Sequence, residues 1–156
     1  MTRILAGPVR SGKTTALLHW SQGRIDCGGV LSPDVDGRRV LQDARTGQRI
    51  PWQKETSTNP EDVRIGRFVL DAYAFDTAIG WLDAAVADPA VRYVVLDEVG
   101  PLELAGGGWD AWLQQALPIR PEKELILVVR EALVSDVMDR YATGPVQLVD
   151  KQTLPG

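Results

Sequence analysis

Hydrophobic residues along the chain follow two patterns, one typical of buried strands and one typical of helices. Short continuous apolar runs, which predict buried strands, occur in "RILAG", "YVVL", "ELILVV" and "PVQLV". Apolar residues at helical spacing occur over 75–86, 109–117 and 131–141, and a further helix is predicted from Gly12 to about Gln22. Strands and helices therefore alternate at both ends of the chain.

The segment 27–71 has a different pattern. Two turn signals, in "VDGRRV" and "RTGQR", separate short stretches in which apolar and polar residues alternate. This arrangement predicts short antiparallel strands, followed by a polar loop in "TSTNPED". The whole pattern predicts an α/β fold, a three-layer sandwich whose central sheet is mostly parallel, with an antiparallel β-rich insert over 27–71. We expect a single domain over residues 1–156.

Composition narrows the range of partners. The chain has 156 residues, 44% of them apolar, which is typical of one globular domain. The net charge of −4 does not provide the cationic surface that nucleic acid or an anionic membrane would bind. The first apolar run is too short for a signal peptide, and none has the ~20 residues of a membrane span. We expect a cytoplasmic monomer without nucleic-acid or membrane partners, and leave a protein partner open.

The single cysteine and the single histidine are not expected to react. Because Cys27 is the only cysteine, it excludes an internal disulfide and a multi-cysteine zinc site. Its apolar neighbours predict a buried, unreactive thiol. His19 lies beside the inner face of the first predicted helix, where a surface or capping role is favoured over catalysis.

The stretch "GPVRSGKT" lies between the first predicted strand and the first predicted helix, and it matches G-x-x-x-x-G-K-[ST] at every fixed position. Glycines let the backbone curl so that its N–H groups point at phosphate oxygens, and the helix beginning there adds its own N–H groups. Lys13 would supply charge to the terminal phosphates, and Thr14 a hydroxyl to Mg²⁺. The predicted nucleotide-binding residues are Gly7, Pro8, Val9, Arg10, Ser11, Gly12, Lys13, Thr14 and Thr15.

Two adjacent acids, Asp97 and Glu98, follow the apolar run "YVVL". A parallel strand would deliver them to the sheet edge that carries the phosphate loop. We expect Asp97 to hold Mg²⁺ together with Thr14, and Glu98 to deprotonate an attacking water. Solvated loop acids are the alternative interpretation. Glu103 is interpreted either as support for the water or an arginine, or as a surface acid.

Arginine is far more frequent than lysine, so an arginine that stabilises charge on a transferred phosphoryl group is expected. Arg130 follows the strand "LILVV" and is the predicted catalytic arginine, with Arg10 of the loop as a second candidate. Further candidates lie in the insert: Arg38, Arg39, Arg45, Arg49, Arg64 and Arg67. Trp52, also in the insert, is interpreted as a packing residue, with stacking on a base as the alternative.

The stretches "GPVRSGKTT", "GGVLSPDVDGRR", "VLDAYAF" and "VLDEVGPLEL" resemble the small thermostable nucleoside-triphosphatases, relatives of the human cancer-related nucleoside-triphosphatase. The resemblance covers most of residues 2–140, and "DEVGPLEL" is its most specific part. It implies a P-loop NTPase fold and Mg²⁺-dependent hydrolysis of nucleoside triphosphates with loose base preference. It also implies binding and catalytic roles for Lys13, Thr14, Asp97 and Glu98.

The chain departs from that family in two places. Arg10 stands where the family often has a small residue, and the family's C-terminal Asn-Arg segment, associated with the base, has no counterpart in "VDKQTLPG". The missing C-terminal segment leaves the choice of base open.

Three functions follow from the sequence. The first is a Mg²⁺-dependent nucleoside-triphosphatase acting on ATP or GTP. The second is a small-molecule kinase whose insert binds an acidic acceptor, although no arginine-bearing lid segment is recognised between the late helices. The third is a nucleotide-gated switch, which exposed apolar surface in "GPLELAGGGWDAW" and a hinge at 106–108 would support.

Overall fold

The computed structural model describes residues 1–141 and 143–156. Its strands are β1 (Thr2–Gly7), β2 (Cys27–Leu31), β3 (Asp34–Val35), β4 (Arg38–Asp43), β5 (Arg49–Pro51), β6 (Gln53–Lys54), β7 (Val63–Ile65), β8 (Phe68–Leu70), β9 (Tyr93–Leu96), β10 (Glu124–Arg130) and β11 (Val146–Val149). Its helices are α1 (Lys13–Ser21), α2 (Ala72–Ala87), α3 (Pro101–Leu104), α4 (Asp110–Ala116) and α5 (Val134–Tyr141), with a 3₁₀ turn over Glu131–Leu133.

The central sheet has the strand order β11-β1-β10-β9-β2-β4-β3, and β5 pairs with β4. The strands from β11 to β2 run parallel, whereas β4 pairs antiparallel with both β2 and β3. A second, antiparallel sheet has the order β6-β8-β7. The predicted fold class, a mostly parallel sheet with an antiparallel flank, is therefore confirmed.

The start of the β-rich insert differs from the predicted boundary at residue 27. Strand β2 pairs parallel with β9, so Cys27–Leu31 belongs to the central parallel sheet, and the antiparallel strands begin with β3. All five residues of β2 are buried, which is the pattern of a strand covered on both faces. The polar alternation that suggested an insert begins only after this strand.

Side chains of the central sheet alternate between two cores. In β1, Ile4 packs with the helices α2, α4 and α5 on one face, and Leu5 packs against α1 on the other. The alternation repeats in β9 and β10, which gives the three layers of the predicted sandwich. In the predicted stripe of α2, Phe75 and Leu82 are buried and Ile79 and Val86 are half-buried against the same core. The thiol of Cys27 is buried, as the sequence predicts.

The topology brings three strand ends to one edge of the sheet. Strand β10 lies between β1 and β9, and its last residue, Arg130, is in register with Gly7 at the end of β1. Strand β9 ends at Leu96, directly before the two acids. The phosphate loop, the acidic pair and Arg130 therefore emerge side by side. Across the described ranges, we find no helix with both the length and the apolar character needed to cross a membrane.

Candidate active site

The predicted phosphate loop connects β1 to α1 and is closed around the Lys13 ammonium. Lys13 Nζ donates to the carbonyl of Gly7 at 3.1 Å and to that of Pro8 at 2.6 Å. A Cβ at Gly7 would lie 2.9 Å from Ser11 Oγ, so glycine permits this tight curve. Burial lowers the pKa of Lys13, an effect that the nearby carboxylates of Glu98 and Asp97 oppose.

Thr14 and Asp97 are in direct contact although they are far apart in the sequence. The Thr14 hydroxyl donates to Asp97 Oδ1 at 3.1 Å, and the backbone N–H of Ser32 donates to Oδ2 at 3.0 Å. Asp97 is only 1% exposed. Burial raises the pKa of its carboxyl group, although both hydrogen bonds favour the charged form.

These oxygen atoms fit a magnesium ion. Mg²⁺ prefers oxygen ligands and typically binds one or two protein groups together with substrate phosphates and water. The Thr14 hydroxyl and the Asp97 carboxylate supply two such groups. Beside them, the buried Ser32 Oγ has no hydrogen-bond partner among the described residues, and a metal-bound water would satisfy it. The residues that the structure describes contain no group of three or more His, Cys, Asp or Glu side chains that could hold a metal ion by themselves. A magnesium site that substrate phosphates complete does not need such a group.

Glu98 lies at the centre of a charged cluster. Its Oε2 accepts a hydrogen bond from Arg39 Nη1, and its Oε1 accepts one from Arg130 Nη2 at 3.4 Å. Burial would raise the pKa of Glu98, but the hydrogen bond from Arg39 and the charges of both arginines lower it below its ordinary value. The backbone of Glu98 has φ 68°, a left-handed conformation that glycine adopts far more readily than other residues.

The charges at this sheet edge are closely paired. Positive charge comes from Lys13, Arg39 and Arg130, and negative charge comes from Asp97, Glu98 and Asp34, whose Oδ1 lies 3.4 Å from Arg39 Nε. These three cationic and three anionic side chains balance. A divalent cation bound at the site would shift that balance towards the positive charge that an anionic ligand needs.

The structure distinguishes among the candidate arginines. Arg130 and Arg39 contact Glu98, whereas Arg10 lies exposed in the phosphate loop with φ 59°. Other insert arginines pair away from the site, for example Arg38 with Glu55 and Arg45 with Asp88. Sequence reasoning grouped Arg39 with its neighbours because no local pattern shows which arginine of a hairpin turns towards another strand.

Glu103 is a buried residue that holds the loop after β9. It is 4% exposed, and its carboxylate accepts hydrogen bonds from the backbone N–H groups of Gly100 at 2.9 Å and Trp109 at 3.1 Å. Burial raises its pKa to about 7, although these hydrogen bonds oppose the shift. A Cβ at Gly108 would lie 1.9 Å from Glu103 Oε2. The surface-acid interpretation is therefore wrong. The carboxylate accepts hydrogen bonds that hold the backbone at both ends of segment 100–109.

The segment proposed as an exposed apolar surface is largely buried. Trp109 and Trp112 are 1% and 6% exposed, and Gly107 packs against Leu102. Trp52 is also buried, stacked edge-on against Phe75 with ring centroids 5.3 Å apart. The packing interpretation of Trp52 is confirmed. The large apolar side chains of this described segment do not form the exposed surface that would have supported the switch hypothesis.

Sequence reasoning missed two contributors to the site's surroundings. Ser32 holds Asp97, and the signal for it was available, because Ser32 follows a buried parallel strand as Asp97 does. Lys151 Nζ donates to the carbonyl of Ser11 in the phosphate loop at 2.6 Å. The C-terminal segment also covers α1, where Trp20 Nε1 donates to the carbonyl of Pro155 at 2.6 Å. No local pattern in "VDKQTLPG" indicates these contacts.

A strand–loop–helix closed around a lysine, with an acidic residue from a parallel strand against the following threonine, defines the fold as that of a P-loop NTPase. A family model described as NTPase matches residues 2–152, and the chain belongs to this NTPase family. No curated protein matches the chain.

Two solved structures share the fold. The solution structure of a human cancer-related nucleoside triphosphatase has a TM-score of 0.68 and 24% sequence identity, over 96% of this chain and 87% of that chain. The crystal structure of THEP1 from the hyperthermophile Aquifex aeolicus has a TM-score of 0.71 and 18% identity, over 96% of this chain and 89% of that chain. The resemblance recognised in the sequence is thereby confirmed.

Proposed function

We propose that the protein is a Mg²⁺-dependent enzyme that hydrolyses nucleoside triphosphates, ATP or GTP among them, to the diphosphate and orthophosphate. The observation that carries the proposal is the 3.1 Å contact between Thr14 and Asp97, with Glu98 as the next residue. This contact supports a metal-binding pair at the mouth of the phosphate loop, with a candidate base beside it. Membership of the NTPase family supports the same activity.

The loop is proposed to bind the phosphates through residues 7–15. Lys13 now donates to the carbonyls of Gly7 and Pro8, and these hydrogen bonds would be exchanged for stronger, charge-assisted ones to phosphate oxygens. The free backbone N–H groups at the start of α1 would donate further hydrogen bonds to the phosphates. Thr14 and Asp97 would hold Mg²⁺, which supplies charge neutralisation to the phosphates when it is bound.

Glu98 is proposed as the general base. It would accept a proton from water while the water oxygen forms a bond to the γ-phosphorus. The bond from that phosphorus to the β–γ bridging oxygen breaks, and the nucleoside diphosphate leaves. Arg130, in register with Gly7 and 3.4 Å from Glu98, would take up part of the charge that develops on the transferred group.

The remaining proposals concern organisation and location. The loop, Asp97, Glu98 and Arg130 all come from one edge of one sheet in one chain, which supports a single-domain enzyme over 1–156 that acts as a monomer. A cytoplasmic location is proposed because the only cysteine, Cys27, is a buried free thiol and no disulfide is required.

Release of orthophosphate from the four common nucleoside triphosphates, with Mg²⁺ or with a chelator, tests the proposal. We expect release from more than one triphosphate, and loss of release when Mg²⁺ is removed. Candidate acceptors should leave the ratio of diphosphate to orthophosphate at one. Absence of orthophosphate release from all four, or a phosphorylated acceptor in place of orthophosphate, would contradict hydrolysis.

A further inference from the structure

We propose that Arg39, supplied by the β-rich insert, is a catalytic residue that contacts the transferred phosphoryl group, and that it leaves Glu98 to do so when a triphosphate binds. This inference rests on the proposed hydrolysis and adds a residue to it. The hydrogen bond between Arg39 and Glu98 would then be exchanged for one between Arg39 and the transferred group.

The position of Arg39 supports this role. Its Nη1 donates to Glu98 Oε2, and its Nε lies 3.4 Å from Asp34 Oδ1. The side chain is 38% exposed, so an incoming ligand has access to the guanidinium. Burial would lower the pKa of Arg39, but the hydrogen bond to Glu98 and the surrounding carboxylates raise it, and the side chain stays charged.

The β3–β4 hairpin, which carries Arg39, begins just after a residue that is hydrogen-bonded to Asp97. Strands β3 and β4 are joined by a turn at Asp36 and Gly37, with φ 52° and 80°, which suits the twist of a tight hairpin. Val40 N donates to the carbonyl of Pro33 at 3.1 Å. The preceding residue, Ser32, binds Asp97 through its backbone N–H. One short segment therefore positions both the metal-binding acid and the arginine.

In the present arrangement both carboxylate oxygens of Glu98 accept hydrogen bonds from arginines, and these lower its pKa and make it a weaker base. Its Oε2 is occupied by Arg39 and its Oε1 by Arg130. A triphosphate brings several negative charges to the same place, and guanidinium groups bind phosphate oxygens in a bidentate manner. Transfer of Arg39 to the terminal phosphate would neutralise that group and release one carboxylate oxygen towards the water. A diphosphate lacks the terminal group and would not drive the exchange.

The neighbouring residue Arg38 provides a matched control. Successive side chains of a strand point to opposite faces, and Arg38 pairs with Glu55 on the far side of β4. Its side chain is 55% exposed. Arg38→Ala removes the same charge from the same hairpin without affecting the contact with Glu98.

The experiment compares the wild-type protein with Arg39→Ala, Arg39→Lys and Arg38→Ala. Orthophosphate release gives kcat and KM, and equilibrium binding gives the affinities for a non-hydrolysable triphosphate analogue and for the diphosphate. We expect Arg39→Ala to lower kcat by about 10³-fold or more, as loss of an arginine at a transferred phosphoryl group does. Arg39→Lys should retain an intermediate rate, because it keeps the charge and loses the planar fork.

The two nucleotide affinities distinguish loss of the arginine contact from misfolding of the variant. The activity of the wild type tests the proposed function separately. We expect Arg39→Ala to retain the affinity for diphosphate, which shows an intact fold, while its preference for the triphosphate analogue falls by roughly tenfold. Arg38→Ala should match the wild type in every measurement. Arg39→Ala with wild-type kcat and wild-type triphosphate preference would overturn the inference, and a wild-type protein that hydrolyses no triphosphate would overturn the proposed function.

Discussion

The phosphate loop and the β3–β4 hairpin bring cations to the same site by different means. In the loop, Lys13 is placed by its own neighbours, since it donates to carbonyls five and six residues before it. In the hairpin, Arg39 reaches Glu98 across 59 positions of sequence. The phosphate-loop half of the site is therefore determined by residues close in sequence, whereas the arginine of the insert is positioned by tertiary structure.

The sharpest test of this comparison is a pair of substitutions, Glu98→Gln and Lys13→Ala. Loss of a positioned general base typically costs 10²–10⁴-fold in rate, so we expect Glu98→Gln to lose turnover by about that factor and retain triphosphate binding. Lys13→Ala should lose binding as well, because the loop loses its only lysine. Phosphate release and equilibrium binding, measured on the same samples, check both. Normal turnover by Glu98→Gln would show that the base is elsewhere.

A smaller effect is expected at Glu103, which holds the backbone of the loop after β9 and is not proposed to react. Its pKa of about 7 in the folded protein exceeds the ordinary glutamate value, so the folded state binds the extra proton between pH 4.5 and 7. The stabilisation it contributes is fully present below that window and is lost as the pH rises through about 7. We expect the free energy of unfolding of the wild type, relative to Glu103→Gln, to fall by roughly 1–3 kcal/mol between pH 5 and pH 8. Urea unfolding at the two pH values measures it, and a difference that rises with pH would contradict the assignment.

The smallest effect is expected at Arg10, the residue of the phosphate loop that is the second sequence-based candidate for the catalytic arginine. Its backbone has φ 59°, which glycine adopts without strain, and its side chain is exposed. We expect Arg10→Gly to change kcat by less than about threefold and the free energy of unfolding by less than about 0.5 kcal/mol. A loss of turnover comparable to that of Arg39→Ala would show that the catalytic arginine is Arg10 of the loop and not Arg39 of the hairpin.

Local patterns were sufficient to predict much of the fold. The apolar runs located β1, β9, β10 and β11, and the spacing of Gly7, Gly12 and Lys13 located the loop because its chemistry depends on adjacent residues. The parallel-strand rule placed Asp97 at the same edge as Thr14. These features could be predicted because each depends on residues close in sequence or on a general property of parallel sheets.

Other features depend on contacts between residues far apart in the chain, which the amino-acid sequence alone does not show. The polar residues after β2 suggested that the insert begins at Cys27, but the partner of a strand is decided by the sheet order. The role of Glu103 stayed open between two interpretations because its two hydrogen-bond donors are backbone N–H groups, which no side-chain pattern displays. Lys151 reaches the loop only because the C-terminal segment folds over α1.

The proposed hydrolysis requires that the phosphate loop and the acids at 97 and 98 enclose one metal–triphosphate. A crystal structure with Mg²⁺ and a non-hydrolysable triphosphate analogue would show whether they do. We expect the phosphates within residues 7–15, Mg²⁺ at about 2.0–2.1 Å from Thr14 Oγ1, and Asp97 in or beside its coordination shell. A triphosphate bound away from the loop, or a metal ion that neither Thr14 nor Asp97 approaches, would rule out the proposed site.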